Sequence, residues 1–206
     1  MITKNRTKVF HAALFAAALL FADIAVAEGD IDAGEDIAYS CLGCHGIEGY
    51  RNAYPSYRVP KLGGQKAAYL EIALKGYRDG SREHPTMQAQ ASSLSDQEIE
   101  DVAAYLASKG SDTVDAVGGD SGGIGLKAAE TCAACHGPTG ISMSAVWPTL
   151  AGQHQDYLLR SLQSYIDGSR KDVVMAAQAA LIAEADLELL ARYFSGLDGL
   201  ETTEVD

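Results

Sequence analysis

The chain has 206 residues, which is enough for one domain or for two small ones. Hydrophobic residues make up 47% of it, an ordinary globular proportion that argues against disorder. The formal net charge of −12 argues against nucleic acid as a partner, because an acidic surface repels the phosphate backbone.

The first 27 residues have the pattern of a secretory signal peptide. Basic residues precede an apolar run over 12–22, and the small residues Ala-Val-Ala follow at 25–27. The run is shorter than the roughly 20 residues of a transmembrane helix, and an uncleaved anchor is the alternative. We predict that residues 1–27 are removed and that the protein is exported to a bacterial periplasm. The mature chain then has 13 basic and 27 acidic residues, a net charge of −14.

Two cysteine motifs indicate covalently attached haem. In each, a Cys-x-x-Cys pair is followed directly by His, so that two thioethers can form to one haem and the His can bind its iron. Two disulfides, redox dithiols or one four-thiolate zinc site are the alternatives for four cysteines, and none of them needs a His after each pair. The motif residues are Cys41, Cys44 and His45 in the first half and Cys132, Cys135 and His136 in the second.

The two motifs belong to an internal repeat that spans the chain. At an offset of 91 residues the haem motifs align, and after a three-residue length difference the offset becomes 88. At this second offset Pro-x-Leu-x-Gly-Gln at 60–65 aligns with 148–153. Tyr-x-Asp-Gly-Ser-Arg at 77–82 likewise aligns with 165–170. The protein therefore contains two copies of one module.

A stretch rich in Gly, Ser and Asp between the copies predicts a linker at 113–122. It separates a first domain over 28–112 from a second over 123–206. Each domain is marginal in size for a core made of side chains alone, and a haem would add the apolar surface that is missing.

The predicted secondary structure is all-α, because no alternating segment is long enough for a strand. In the first copy, helices are expected at about 32–40 and 66–76 and after Ser95, where Ser95 and Glu98 have the spacing of a capping box. In the second copy, helices are expected at about 123–131, 153–165 and 187–194.

Met87 and Met175 align in the repeat, each about 40 residues beyond the His of its motif. Methionine is the usual second axial ligand of an electron-transfer haem, and it raises the reduction potential. We therefore predict His45/Met87 ligation in the first domain and His136/Met175 ligation in the second.

Two further histidines, His84 and His154, are rival ligands in principle. Their equivalents in the other copy are Asp172 and Lys66, so neither belongs to the shared module. We expect both at the surface.

The residues before each methionine differ. Val173 and Val174 predict a drier second site, and a drier site has a higher reduction potential because it disfavours the more charged ferric state. Two effects oppose this, the negative charge of Asp172, if it lies close to the ligand, and the surplus of Lys and Arg around the first haem. Exposed charges are screened, so we predict that dryness outweighs both and that the second haem has the higher reduction potential.

Basic residues are concentrated in one stretch of the first domain. Between Glu48 and Glu83, seven Lys and Arg residues outnumber four acidic ones. The stretch is either ordinary solvated surface or a docking face for an acidic partner around the first haem.

The whole pattern resembles cytochrome c4, a family with two class I cytochrome c modules in tandem, over essentially the entire mature chain. The resemblance implies two haem c groups, His/Met ligation, a periplasmic location often loosely at the membrane, and electron delivery to a terminal oxidase. It also implies that Pro60 and Pro148 accept hydrogen bonds from the His of their own module, which fix the ring orientation. Gly34 and Gly125 match the small residue at the crossing of the first and last helices.

The function expected from this pattern is electron transfer, without a small-molecule substrate. One hypothesis is a shuttle from a quinol-oxidising complex to a terminal oxidase in a respiratory chain. Another is the cytochrome subunit of a dehydrogenase, such as a flavoprotein sulfide dehydrogenase. A third, an enzyme such as a dihaem peroxidase, needs an open or labile iron position, and two methionines in register argue against it.

Overall fold

The computed structural model describes residues 29–110 and 126–203. Over these ranges the chain is helical and has isolated bridges but no strands, which confirms the all-α prediction. None of the described helices is long and apolar enough to cross a membrane. The predicted signal peptide over 1–27 and the predicted linker over 113–122 lie outside the described residues.

The described helices form two equivalent sets of four. The first set consists of α1 Ile31–His45, α2 Ala67–Asp79, α3 Pro85–Ser92 and α4 Asp96–Ser108. The second set consists of α5 Leu126–His136, α6 Gln155–Asp167, α7 Val173–Ala179 and α8 Glu184–Ser195. Helices α3 and α7 are not expected from the sequence, because eight and seven residues are too few for helical periodicity to be visible.

Helix α1 continues beyond its predicted end and includes the first haem motif. The carboxylate of Asp30 caps its N-terminus by accepting hydrogen bonds from the backbone N–H groups of Asp32 and Ala33, at 3.0 and 3.2 Å. Because the motif is helical, Cys41 and Cys44 lie about one turn apart on the same side of α1.

The first and last helices of the first domain approach closely at Gly34. A Cβ atom at this position would lie 2.1 Å from the carbonyl oxygen of Asp101 and 2.8 Å from Cβ of Tyr105, so only glycine allows the crossing. This is the position that the repeat pattern suggests, whereas its counterpart Gly125 lies outside the described residues. The core of the first domain forms beside the crossing from Ala38, Leu42, Leu70, Val102, Ala103, Tyr105 and Leu106.

Two equivalent pairs of hydrogen bonds join the domains, one formed by a glutamine of each domain. Gln65 Nε2 donates to the carbonyl of Thr149 at 3.0 Å, and the N–H of Thr149 donates to Gln65 Oε1 at 2.9 Å. Gln153 forms the same pair of bonds with Lys61, at 2.9 and 3.0 Å. The glutamine that ends each Pro-x-Leu-x-Gly-Gln segment therefore binds the beginning of the other segment.

Two arginines and several tyrosines occupy another part of the interface. Arg82 donates to the hydroxyl of Tyr157 at 2.5 Å, and Arg170 donates to the hydroxyl of Tyr69 at 2.6 Å. Each guanidinium also lies over a tyrosine ring of its own domain, 4.4 and 4.6 Å from the ring centroid. Stacking and hydrogen bonding together hold each arginine between the domains.

Much of the basic stretch is used in contacts within the chain. Arg51 and Arg58 pair with Asp156 of the second domain, at 3.0 and 3.4 Å. Arg82 lies in the interface described above. The stretch is therefore neither simply solvated nor an intact docking face, because three of its charges join the domains.

The chain after α8 returns to the first domain. Gly63 and Glu201 exchange two backbone hydrogen bonds of 3.1 Å each. The hydroxyl of Thr202 donates to Glu48 at 2.6 Å. The last described residues, assigned to the second domain by the repeat, thus pack against the first.

Two candidate haem-binding sites

The cysteine pairs lie in the last turns of α1 and α5, and all four are half-buried free thiols. Burial raises the pKa of the Cys41 and Cys132 thiols, which keeps them protonated near pH 7. In the described part of the chain, no three side chains of His, Cys, Asp or Glu converge in a way that could hold a metal ion. The four cysteines thus lie as two separate pairs in the described structure.

Each haem-motif histidine is hydrogen-bonded to a proline carbonyl. The distance from Nδ1 of His45 to the oxygen of Pro60 is 2.7 Å, and that from Nδ1 of His136 to the oxygen of Pro148 is 2.9 Å. A carbonyl can only accept, so each ring carries its proton on Nδ1 and leaves the lone pair of Nε2 free.

Both rings are neutral near pH 7. Burial lowers the pKa of His45 to about 4 and lowers the pKa of His136 as well, because the charged imidazolium is poorly solvated at either position. A neutral ring with a fixed tautomer is the form in which histidine binds iron.

The longer segment between His45 and Pro60 folds back on itself. The N–H of Val59 donates to Tyr50 and that of Asn52 donates to Tyr57, both at 2.9 Å. The extra residues therefore lie in a closed loop. The His–Pro distance remains close to that of the shorter second segment.

Met87 and Met175 lie in the first turns of α3 and α7, where both are half-buried. The preceding helices end at Gly80 and Gly168, which have φ values of +79° and +81°. Glycine adopts this left-handed conformation without strain, so each helix can stop and turn towards its methionine segment.

Of the two residues that cap these short helices, Asp172 is of a common capping type, whereas His84 is not recognisable as a cap from the sequence. His84 Nδ1 accepts the N–H of Met87 at 3.2 Å, and the aligned Asp172 accepts the N–H of Met175 at 2.8 Å. His154 is only 6% exposed, so the expectation that it lies at the surface is wrong, whereas His84 is half-buried. An N-cap is a local signal, but its acceptor is most often Ser, Thr, Asp or Asn, and a histidine gives no such sign.

The donors of each domain fit one covalently bound haem c. Two thiols one helical turn apart, a neutral imidazole with a free Nε2 and a thioether in register downstream are the groups that this cofactor requires. The sequence pattern names each of them, and the structure contains the hydrogen bonds to Pro60 and Pro148 that the family resemblance implies.

Comparisons with known proteins agree with this chemistry. The family model described as cytochrome c matches residues 31–109 and 124–193. Cytochrome c4 of Pseudomonas aeruginosa is 33% identical over 187 residues, which cover 84% of this chain and 92% of that protein. A thiosulfate dehydrogenase electron acceptor of Stutzerimonas stutzeri is 32% identical over 179 residues, which cover 80% of this chain and 82% of that protein.

A solved structure extends the likeness to three dimensions. The crystal structure of reduced recombinant cytochrome c4 from Pseudomonas stutzeri matches with a TM-score of 0.66 and 31% identity, covering 82% of this chain and 99% of that one. The tandem match and these relatives confirm the predicted family and its two haem c groups. The chain thus belongs to the cytochrome c4 family, as a dihaem electron-transfer cytochrome with one cytochrome c domain in each half.

Proposed function

We propose that this protein is a periplasmic electron carrier that takes electrons from a quinol-oxidising complex and delivers them to a terminal oxidase. The observation that carries the proposal is the pair of equivalent His–Pro hydrogen bonds, 2.7 and 2.9 Å long, which prepare two imidazole rings for iron in one chain. When bound, each haem supplies a one-electron iron couple. The hydrogen-bonded rings keep one orientation, so little of the protein has to move when the charge changes.

We assign His45 and Met87 as the axial ligands of the first haem, and His136 and Met175 as those of the second. Thioethers would form at Cys41, Cys44, Cys132 and Cys135. If these residues hold the two haems, neither iron would be open to a substrate. This supports a carrier rather than an enzyme such as a dihaem peroxidase.

The location belongs to the same proposal. Export by a signal peptide over 1–27 would bring the chain to the compartment where c-type haem is attached, as a first domain over 28–112, a linker over 113–122 and a second domain over 123–206. Loose attachment to the membrane surface would place it near both respiratory partners.

A second candidate function is electron acceptor of a dehydrogenase. It is favoured by the 32% identity to a protein named as the electron acceptor of thiosulfate dehydrogenase. A flavoprotein sulfide dehydrogenase is another donor of this class. Both candidates need the same two haem sites and differ only in the donor.

Stopped-flow mixing separates the candidates. The oxidised protein should be reduced rapidly by membranes that contain a quinol-oxidising complex, and the reduced protein should be reoxidised by membranes that contain a terminal oxidase. Slow exchange with both membranes, together with rapid reduction by purified thiosulfate dehydrogenase and its substrate, would replace the respiratory role with the second candidate. Co-purification of a flavoprotein would identify a sulfide dehydrogenase subunit instead.

A further inference from the structure

The peptide group between Pro60 and Lys61 is hydrogen-bonded at both of its polar ends. Its carbonyl lies 2.7 Å from Nδ1 of His45, in its own domain. Its N–H donates to Oε1 of Gln153, in the other domain, at 3.0 Å. A single conjugated amide thus connects the histidine of the first site to a side chain of the second domain.

The twin peptide makes the reverse connection. Between Pro148 and Thr149, the carbonyl lies 2.9 Å from Nδ1 of His136, and the N–H donates to Oε1 of Gln65 at 2.9 Å. Each site is therefore linked to the domain that does not contain it.

Both glutamines are buried and fixed in orientation. Each is only 4% exposed. The Oε1 of Gln153 also accepts the N–H of His154 at 3.0 Å, and its Nε2 donates to the carbonyl of Lys61 at 2.9 Å. The oxygen and nitrogen of the side-chain amide thus each face a partner of the correct type. In such a buried, satisfied network, each hydrogen bond polarises the next one.

Adhesion between the domains does not depend on the glutamines alone. The Arg82–Tyr157 and Arg170–Tyr69 bonds, the ion pairs of Asp156 and the returning chain after α8 also connect them. Among these contacts, only the glutamines form a hydrogen bond to the peptide group whose carbonyl binds the histidine of a haem motif.

We propose that Gln65 and Gln153 are positioning residues that act across the interface, each on the haem-binding histidine of the other domain. When Gln153 accepts the Lys61 N–H, the Pro60 carbonyl becomes a stronger acceptor and draws the Nδ1 proton of His45 more strongly. The ring gains imidazolate character, becomes a stronger donor to iron and stabilises the ferric state. The docked domain therefore lowers the reduction potential of its neighbour. This inference rests on the axial roles proposed for His45 and His136, and not on the identity of the redox partners.

The test replaces each glutamine with methionine, whose side chain has nearly the same shape but cannot form the hydrogen bonds of the glutamine amide. In Gln153→Met the potential at the His45 site should rise, and the electron distribution between the sites should shift towards it by about threefold, or about 28 mV at 59 mV per tenfold change. In the reduced protein, the Nδ1 proton resonance of His45 should move upfield, while that of His136 keeps its position. In Gln65→Met both responses should appear at the other site.

Thr202→Val is the matched control, because it removes the interdomain bond to Glu48 and touches neither peptide. It should leave both Nδ1 resonances unchanged. If Gln153→Met does not fold, Gln153→Asn, whose amide is too short to reach Lys61, should give the same pattern.

Unchanged potentials and resonances in a variant with normal His/Met spectra would overturn the inference and leave the proposed function intact. Equal shifts at both sites would also overturn it, because they would indicate general loosening of the interface. Absence of His/Met spectra in the unmodified protein would overturn the proposed ligation itself. This outcome is distinguishable because it is seen before any glutamine is replaced.

Discussion

The two domains share a frame and a predicted ligand set but differ in the residue that caps the methionine helix. In the first domain the cap is His84, whose pKa is lowered by burial and by Arg82, so the ring is neutral at pH 7. In the second domain it is Asp172, whose carboxylate accepts the N–H groups of Val174 and Met175 at 3.0 and 2.8 Å. One position of the repeat thus holds a neutral ring in one copy and an acidic side chain in the other. A duplicated site can therefore acquire two electrostatic environments while its ligands stay the same.

The contact changes the expected order of the two potentials. From the sequence, Val173 and Val174 predict a drier second site with the higher potential. In the structure Val173 and Val174 are 88% and 61% exposed, so the premise of a drier site is wrong. The carboxylate of Asp172 accepts the backbone N–H of Met175 itself, so its charge lies close to the proposed ligand. Negative charge stabilises ferric iron, and we therefore predict the lower potential at the His136/Met175 site.

The largest effect on this comparison should come from removing one methionine sulfur. In Met87→Ala or Met175→Ala, the potential of the altered site should fall by on the order of 0.1 V, within the roughly 0.8 V that axial ligands span. One Met–iron charge-transfer band should disappear from the oxidised spectrum while the other remains. Redox titration of the two variants also assigns each potential to its domain. A variant that keeps both bands would show that its methionine is not a ligand.

Exchanging the caps tests the electrostatic difference directly. Asp172→Asn retains a good capping residue but removes the charge, so the potential of the second site should rise. His84→Asp should lower the potential of the first site by a similar amount. A charge effect of about 1 kcal/mol corresponds to roughly 40 mV for one electron. If neither titration moves, the caps do not set the difference between the sites.

The last helices of the two domains, α4 and α8, also differ in the residue at the N-cap position. Ser95 caps α4 in a capping box with Glu98, whereas Ala183 at the start of α8 provides no side-chain cap. Ser95→Ala should cost about 1 kcal/mol of unfolding free energy, because the backbone N–H of Glu98 loses its acceptor. Ala183→Ser should stabilise the second domain by up to a similar amount. Urea unfolding followed by the Met–iron bands of each domain measures both effects. An unchanged unfolding free energy in Ser95→Ala would show that the Ser95 cap does not stabilise the domain.

The sequence predicts the parts of the sites that are close in the chain. The haem motifs have fixed local spacing, the register of the repeat selects the methionines as candidate ligands, and the family resemblance implies the role of the prolines. The bonds between Gln65 and Thr149 join residues 84 positions apart, and they depend on how two finished domains dock, which no local pattern encodes. The same reason explains why the burial of His154 and the use of Arg58 against Asp156 were not expected.

One further pair of aligned residues makes the interface sensitive to pH on one side only. Lys66 precedes α2, and the equivalent residue before α6 is His154, whose Nδ1 lies 3.5 Å from the guanidinium of Arg58. Burial, then the charges of Lys61 and Arg58, lower the pKa of His154, while the nearby carboxylates of Glu48 and Asp156 oppose the shift only in part. Histidine is the side chain whose ordinary pKa lies closest to neutral pH, and only the second domain has one at this position.

Because the folded protein binds this proton less readily than the unfolded chain does, acid should weaken the fold. The stability contributed by the neutral ring is complete above the unfolded pKa of about 6.5, and it is lost as the pH falls below that value towards the lower pKa of the folded state. Between pH 7.5 and 5.5 the urea midpoint should therefore fall further for the unmodified protein than for His154→Gln, which cannot be protonated. The other titrating groups are common to both proteins and cancel in this difference. Equal losses in the two proteins would show that His154 is not the group responsible.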